Sequence, residues 1–341
     1  MNMKSSKSVL LNKFGDLNFI TVEDCELPSL EGNLEVKVEY GGVNFADIYT
    51  IKGLVADKKL PFILGIECSG VITAIGDNVK NNNFKVGERV VCYDYTGGLY
   101  RNTLRLPPTN CFSLPEYIDS KLGAAIFVNY LTAYFSLIHL GNLRENESIL
   151  ILSCAGGVGS AAVQISKTIA GVHISGSGSA IKEARARENG VENFFCNETF
   201  VENVKDQKFD VILCNESGPT FSFLQGCLKP LGRIILIGAN NLLQTENALI
   251  KTTKNTENQE NVPLLSLLVN NRAVSGLHLG TLLATDPEKV KNTLDRIFLM
   301  VKEQKLNPII HSEWKMSEII KAAKLLEERK NVGKILINMF E

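Results

Sequence analysis

The apolar positions of this chain fall into two regimes. From about Ser8 to Leu122 they alternate as strands do: EVKVEYGGVN keeps a two-residue period, FILGIECSGVITAIG is an apolar strand region punctuated by Gly65 and Gly70, and VGERVVCYDY is a shorter one. Helical periodicity is scarce there. The long apolar segment 117–140 breaks the alternation and predicts helices leading into a second region. That region alternates strand and helix: ILILSC, VHISGS, ENFFC, FDVILCN and RIILIGA are short apolar runs with helical segments such as IKEARARENG between them. The pattern is that of a doubly wound parallel sheet, its strands buried on both faces.

Residues 244–262 are polar and poor in core formers, and predict a mobile surface loop. The apolar PLLSLLV follows, then AVSGLHLG as a last strand. An amphipathic helix, PEKVKNTLDRIFLMVKEQ, a second helix, SEIIKAAKLLEERK, and a strand, KILINMF, complete the chain. Periodicity leaves open which sheet this tail joins.

One stretch carries recognisable chemistry. The buried run Ile149–Leu152 leads into Gly156, Gly157 and Gly159, and these open a helix whose Ala162, Ile165 and Ile169 repeat at helical spacing. Strand, glycine turn and helix are the order of a dinucleotide-binding βαβ unit, in which bare backbone approaches a pyrophosphate at a helix N-terminus. An enzyme that holds NAD places a carboxylate on the ribose roughly 20 residues later. This chain reads GVHISGSGSAIK there, with Ser177 and Ser179 in place of the acid and Lys182 just beyond. Hydroxyls and a lysine suit a 2′-phosphate, so NADPH is the expected cofactor. The alternative for Lys182 is a solvated helix lysine.

Composition narrows the class. Apolar residues make up 45% and charged residues 21% of 341, which fits a folded protein of two domains. With 36 basic and 37 acidic residues the net charge is -1, which supplies no field for nucleic acid. The eight cysteines are scattered without a CxxC pair, so reduced, mostly buried thiols of a cytoplasmic protein are expected. No window reads as the roughly 18 apolar residues of a membrane span, and any membrane association is expected to be peripheral. The four histidines, His139, His173, His278 and His311, form no constellation, and structural roles are the default for each.

The stretch 146–167 resembles the quinone oxidoreductase signature of the medium-chain dehydrogenase/reductases at Asn146, Glu147, Leu150, Ala155, Gly156, Gly157, Gly159, Gln164 and Lys167, with Cys154 where a smaller residue is usual. The likeness extends from about Ser8 to Asn338 through VNFADIY (43–49), GIECSG (65–70), VNYLTAY (128–134), NRAVSGLHLG (271–280) and KNVGKIL (330–336). The last three look most like the vesicle amine transport protein branch. The resemblance implies a GroES-like β-rich catalytic domain, 1–128 completed by 281–341, and a Rossmann NADP-binding domain, 129–280. It implies a zinc-independent, NADPH-dependent reductase passing hydride to a quinone or an activated enone, a small hydrophobic carbonyl substrate. A membrane-associated vesicle or lipid-handling protein with little turnover is the alternative.

In this family Asn44 and Tyr49 match residues that face the nicotinamide, the other reading being a turn asparagine and a half-buried tyrosine. The cofactor would be held by Asn129, Thr132, Ala155, Gly156, Gly157, Val158, Gly159, Ser177, Ser179, Lys182, Gly238, Asn331 and Gly333; for Thr132 and Gly333 packing is an equal alternative. No metal is expected. Asn44 and Ile66 stand where zinc enzymes carry a cysteine and a histidine, and Glu67 is expected to pair with a buried arginine such as Arg89. Three departures bear on affinity: the basic residue usual after Tyr49 is displaced to Lys52, the tyrosine usual after the third strand is Asn197, and the acid usual after FDVIL is Asn215. An apolar edge at AVSGLHLG would make a homodimer by pairing with a second copy.

Overall fold

The computed structural model describes residues 4–55, 58–79, 83–240, 262 and 264–340, so most of the expected loop 244–262 lies outside the described residues. The alternating first region becomes strands β1 (Ser5–Leu11), β2 (Ile20–Glu26), β3 (Leu34–Val43), β4 (Phe62–Ile63), β5 (Glu67–Ile75), β6 (Arg89–Tyr93), β7 (Thr103–Leu106) and β8 (Cys111–Ser113), interrupted by the short helix α1 (Phe45–Ile51). The second region carries β9 (Ser148–Ile151), β10 (His173–Gly178), β11 (Asn193–Cys196), β12 (Phe209–Cys214), β13 (Leu228–Leu236) and β14 (Ala273–Gly276). The chain ends with β15 (Ile310–Lys315) and β16 (Lys334–Asn338).

Two units result, Met1–Phe127 with Ile310–Glu341 and Val128–Ile309. In the first, a sheet of order β15-β16-β3-β5-β6-β8, with β7 also on β3, lies beside a small sheet β2-β1-β4. Inward residues of successive strands, among them Val36, Val38, Ile72, Val90, Leu104 and Ile335, are fully buried. The GroES-like domain is thus completed by the C-terminal tail. The tail returns at Ile310, however, and not at 281.

The physical reason lies in two features of the second unit. Helix α9 (Pro287–Lys302) buries Val290, Leu294, Ile297 and Phe298 on one face. Beyond it, Gln164 grips the backbone of Asn307, donating to its carbonyl and accepting from its N–H at 2.8 Å each. Gln164 itself sits on α3 (Gly157–Lys167), so the chain stays with the second unit until just after this clamp.

The second unit is a parallel sheet of order β11-β10-β9-β12-β13-β14, every pairing parallel. This is the doubly wound order 3-2-1-4-5-6, and its switch point lies between β9 and β12. Leu150, Ile212, Ile234, Phe209 and Leu228 form the core on one face with Leu224 of α6 (Pro219–Gly226). The remaining α-helices among the described residues are α4 (Glu183–Asn189), α5 (Phe200–Val204), α7 (Leu264–Asn270), α8 (Leu279–Thr285) and, in the tail, α10 (Ile319–Glu327).

Helix α2 (Ser120–Tyr134) continues as a π-helical turn, Phe135–Leu140. Together they make a run of 21 residues with hydropathy 1.4, which by length and composition could cross a membrane, contrary to the expectation that no window would. Its most apolar window is 78% buried inside the protein, so the apolar surface of this helix is used in the core. AVSGLHLG is strand only through Gly276, because the His278 imidazole accepts the Thr281 N–H at 3.1 Å and starts α8.

Candidate active site

The second unit holds the dinucleotide turn. Residues 152–156 lead out of β9 with Ser153 in the left-handed region at φ 53°, and Gly156 in extended conformation caps α3. Gly159 is required by packing, since a Cβ there would lie 2.2 Å from the Ser153 carbonyl oxygen. At Gly157 a Cβ would lie 2.6 Å from the Asn129 Nδ2, so Asn129 of α2 closes over the turn. Ala155, Gly156, Gly157, Val158 and Gly159 therefore share one helix N-terminus at the carboxyl end of β9, where nucleotide phosphates bind in such sheets. Thr132 lies one helical turn beyond Asn129 and is buried. Gly238 follows β13 at the same end of the sheet.

Ser177, at the end of β10, is buried, and its hydroxyl accepts the Ser153 N–H at 3.4 Å. Ser179 and Lys182 bound the next short turn, with the Lys182 N–H on the Ser179 carbonyl at 2.9 Å. Only 9% of Lys182 is exposed, and its charge is felt by the Cys154 thiol, which burial nevertheless pushes up to about 12. A solvated helix lysine is therefore not what the fold builds. Across the switch point, Asn215 follows β12 and donates from Nδ2 to the Ser153 hydroxyl at 3.0 Å. Its Oδ1 is buried and has no hydrogen-bond partner among the described residues. A backbone cradle, a buried lysine beside Ser179 and an orphaned acceptor fit a nicotinamide dinucleotide.

The first unit holds the other candidates. Asn44 ends β3 and starts α1, where the Asp47 carboxylate accepts its backbone N–H at 2.9 Å. The Asn44 amide donates to the Gly42 carbonyl and to Glu67 Oε1, both at 2.8 Å, and its Oδ1 accepts from Lys334 Nζ at 2.7 Å. Lys334 also binds Glu67 directly, and the two side chains are 2% and 0% exposed. Glu67 thus pairs with a lysine from β16 and not with Arg89, whose guanidinium donates to the Glu116 carbonyl. Tyr100 places its hydroxyl 2.8 Å from Asp47 Oδ2 and 2.9 Å from the Gly42 oxygen. Burial pushes the Asp47 carboxyl up to about 6, against the lowering pull of the Asn44 N–H, the Tyr100 hydroxyl and the Lys334 ammonium.

Both amide protons of Asn44 are committed inside this cluster. The residue positions Glu67 and Lys334, and has no donor left for a substrate carbonyl. Tyr49 is half-buried on α1, its ring 6.4 Å from that of Phe45. Lys52, the displaced basic residue, is tied to Glu327 at 2.5 Å and to the Gly15 carbonyl at 3.3 Å. Asn331 and Gly333 flank Val332 just before β16: Asn331 Nδ2 donates to the Gly333 carbonyl at 2.7 Å, and Gly333 needs its φ of 78°. These two lie in the first unit, whereas the other cofactor candidates lie in the second.

The same cluster tests for zinc. Its donors are an asparagine with a saturated amide, a glutamate bound to an ammonium, and, at Ile66, a buried hydrocarbon, a set that does not fit a catalytic zinc. No group of three or more metal-ligating side chains occurs among the described residues.

Sequence reasoning missed Lys334, Tyr100 and Asp47. Lys334 could have been suspected from a charge opening the apolar strand KILIN, because a buried lysine needs a carboxylate.

A GroES-like unit joined to a 3-2-1-4-5-6 sheet is the architecture of a nicotinamide-type oxidoreductase, and the comparisons agree. The family profile of the alcohol dehydrogenase GroES-like domain matches residues 31–116, and that of zinc-binding dehydrogenases residues 190–337. The chain belongs to the medium-chain dehydrogenase/reductase superfamily. It is 34% identical over 314 residues to the human synaptic vesicle membrane protein VAT-1 homolog, covering 90% of this chain and 79% of the relative. It is 31% identical over 338 residues to the synaptic vesicle membrane protein VAT-1 of Tetronarce californica, covering 97% and 87%. Among solved structures, a human VAT-1 homolog-like protein superposes with a TM-score of 0.83 at 26% identity over 100% of this chain and 99% of the other. The quinone oxidoreductase of Escherichia coli, solved with NADPH, shares the fold with a TM-score of 0.81 at 21% identity over 97% and 99%.

Proposed function

We propose that this protein is a zinc-independent, NADPH-dependent reductase acting on a quinone or an activated enone. The observation that carries the reading is the pairing of a complete dinucleotide turn with Ser179 and a buried Lys182, where an NAD enzyme would place a carboxylate. When bound, the nicotinamide supplies the hydride. Gly156 to Gly159 hold the pyrophosphate, Lys182 and Ser179 the 2′-phosphate, and Asn215 Oδ1 accepts from the nucleotide. Tyr49 carries the hydrogen bond to the substrate oxygen, because Asn44 is committed to Glu67 and Lys334. NADPH oxidation against a panel of quinones and enones, with Tyr49→Phe as control, tests the reading. Absence of any fluorescence change on adding millimolar NADPH overturns it.

A second reading has its own observation. Leu264, Leu265, Leu268 and Val269 are 73–78% exposed on the single short helix α7. With the vesicle-membrane names of the relatives, they support peripheral attachment of a cytoplasmic protein to a vesicle or organelle membrane. Flotation with liposomes that is abolished by serine at the three leucines, at unchanged NADPH affinity, supports it; flotation independent of them removes it.

A further inference from the structure

A shallow pocket of about 470 Å³, largely open to solvent, lies in the second unit between the π-helical end of α2 and the first half of α9. The dinucleotide turn does not use it: Asn129, which covers Gly157, lies ten residues before His139 on the same helix, about 15 Å away. Lys289 and Arg296 line the pocket from α9, seven residues apart and so on one face, roughly 10.5 Å along the axis. Thr293 lies between them. Neither cation is in an ion pair among the described residues, although Lys291 on the same helix pairs with Asp295.

His139 forms the opposite wall. The π turn, marked by the Gly141 N–H on the Ser136 carbonyl at 2.7 Å, sets its ring 5.9 Å from that of Tyr134 and 5.0 Å from that of Phe135. Such turns are rare and recur at functional sites. Partial burial, then Lys289 and Arg296, hold the imidazole below the ordinary histidine value. Two carboxylates share the rim. Asp286 is occupied as the cap of α9, its Oδ1 accepting the Lys289 N–H at 3.1 Å, and Glu288 follows in the first turn.

We propose that this pocket binds a phosphate monoester, its terminal oxygens held by Lys289, Arg296 and the His139 imidazole, with the Thr293 hydroxyl between the two cations. Donors from both walls match a tetrahedral oxyanion, whereas a planar carboxylate would be satisfied by one guanidinium. The volume exceeds that of bare phosphate and falls in the range of small-ligand sites, with the Tyr134 ring as an apolar wall for the esterified group. The inference stands apart from the reductase reading and survives its failure.

The test follows the His139 imidazole by NMR, assigned with His139→Gln, while inorganic phosphate is compared with chloride at equal ionic strength. Phosphate should raise the apparent imidazole pKa; Lys289→Ser with Arg296→Ser should weaken phosphate at least about fivefold, and Glu288→Gln should tighten it. All these side chains but Thr293 are exposed, so the variants keep the melting temperature of the parent. Glycerol 3-phosphate and phosphatidic acid vesicles separate the sources. Binding of the former without flotation marks a soluble ester, and flotation lost in the double variant marks a lipid headgroup. Identical imidazole titrations in phosphate and chloride, or equal phosphate affinity in the double variant, overturn the proposal.

Discussion

At the residue scale the most informative group is Asp47. Its folded value of about 6 lies above the ordinary 3.8, so the folded state binds a proton that the unfolded chain has released. The stability this adds is complete below about 4 and lost as pH rises through 6, by an upper bound of about 3 kcal/mol. Urea unfolding midpoints of the parent should therefore fall between pH 4 and 6, and Asp47→Asn should flatten that fall. Lys334 makes a second prediction. Lys334→Met leaves the Glu67 carboxylate buried without its cation and should cost about 3–5 kcal/mol in urea unfolding, while adding Glu67→Gln should recover most of the loss. The pairing of Lys334 with Glu67 was not legible, although the charge opening KILIN was a signal, because 267 positions separate the two and the strand run β16-β3-β5 is needed to bring them together. The expected partner, Arg89, is held instead by the Glu116 carbonyl.

At the element scale the β9–α3 unit was legible almost whole. Its signals are local: an apolar run, three glycines and a helical repeat, all within about twenty residues. Two of the glycines answer to different neighbours, and substitution should separate them. Gly159→Ala drives a methyl into the Ser153 backbone carbonyl, so it should lower the melting temperature and abolish NADPH fluorescence enhancement together. Gly157→Ala meets only the movable Asn129 amide, so it should keep the fold and weaken NADPH binding. The C-terminal return, which the resemblance put at 281, comes at Ile310, because α9 stays with the second unit and periodicity shows its apolar face without showing which core receives it. The strand β15, with its half-buried alternation, was missed for a similar reason: IHSEWK is too polar to announce a strand, and its pairing with β16 makes it one.

At the scale of the whole molecule the question is what covers β14. It ends the six-stranded sheet, its Ala273 and Gly276 are exposed, and its outer edge has no strand partner among the described residues. An open edge of this kind is a template for a second copy, and two-fold pairing of β14 would extend one sheet through both subunits. Sedimentation velocity at about 10 μM should show a dimer if that pairing has ordinary interface strength. Ala273→Lys with Gly276→Lys should convert it to monomer, since edge lysines disfavour strand addition. The cofactor turn leaves β9, which stands three strands from β14, roughly 14 Å across the sheet. The monomeric variant should therefore bind NADPH as the parent does. A variant that lost both dimer and NADPH together would mean that the edge supports the turn through the sheet, and that assembly and cofactor binding are one property of this unit.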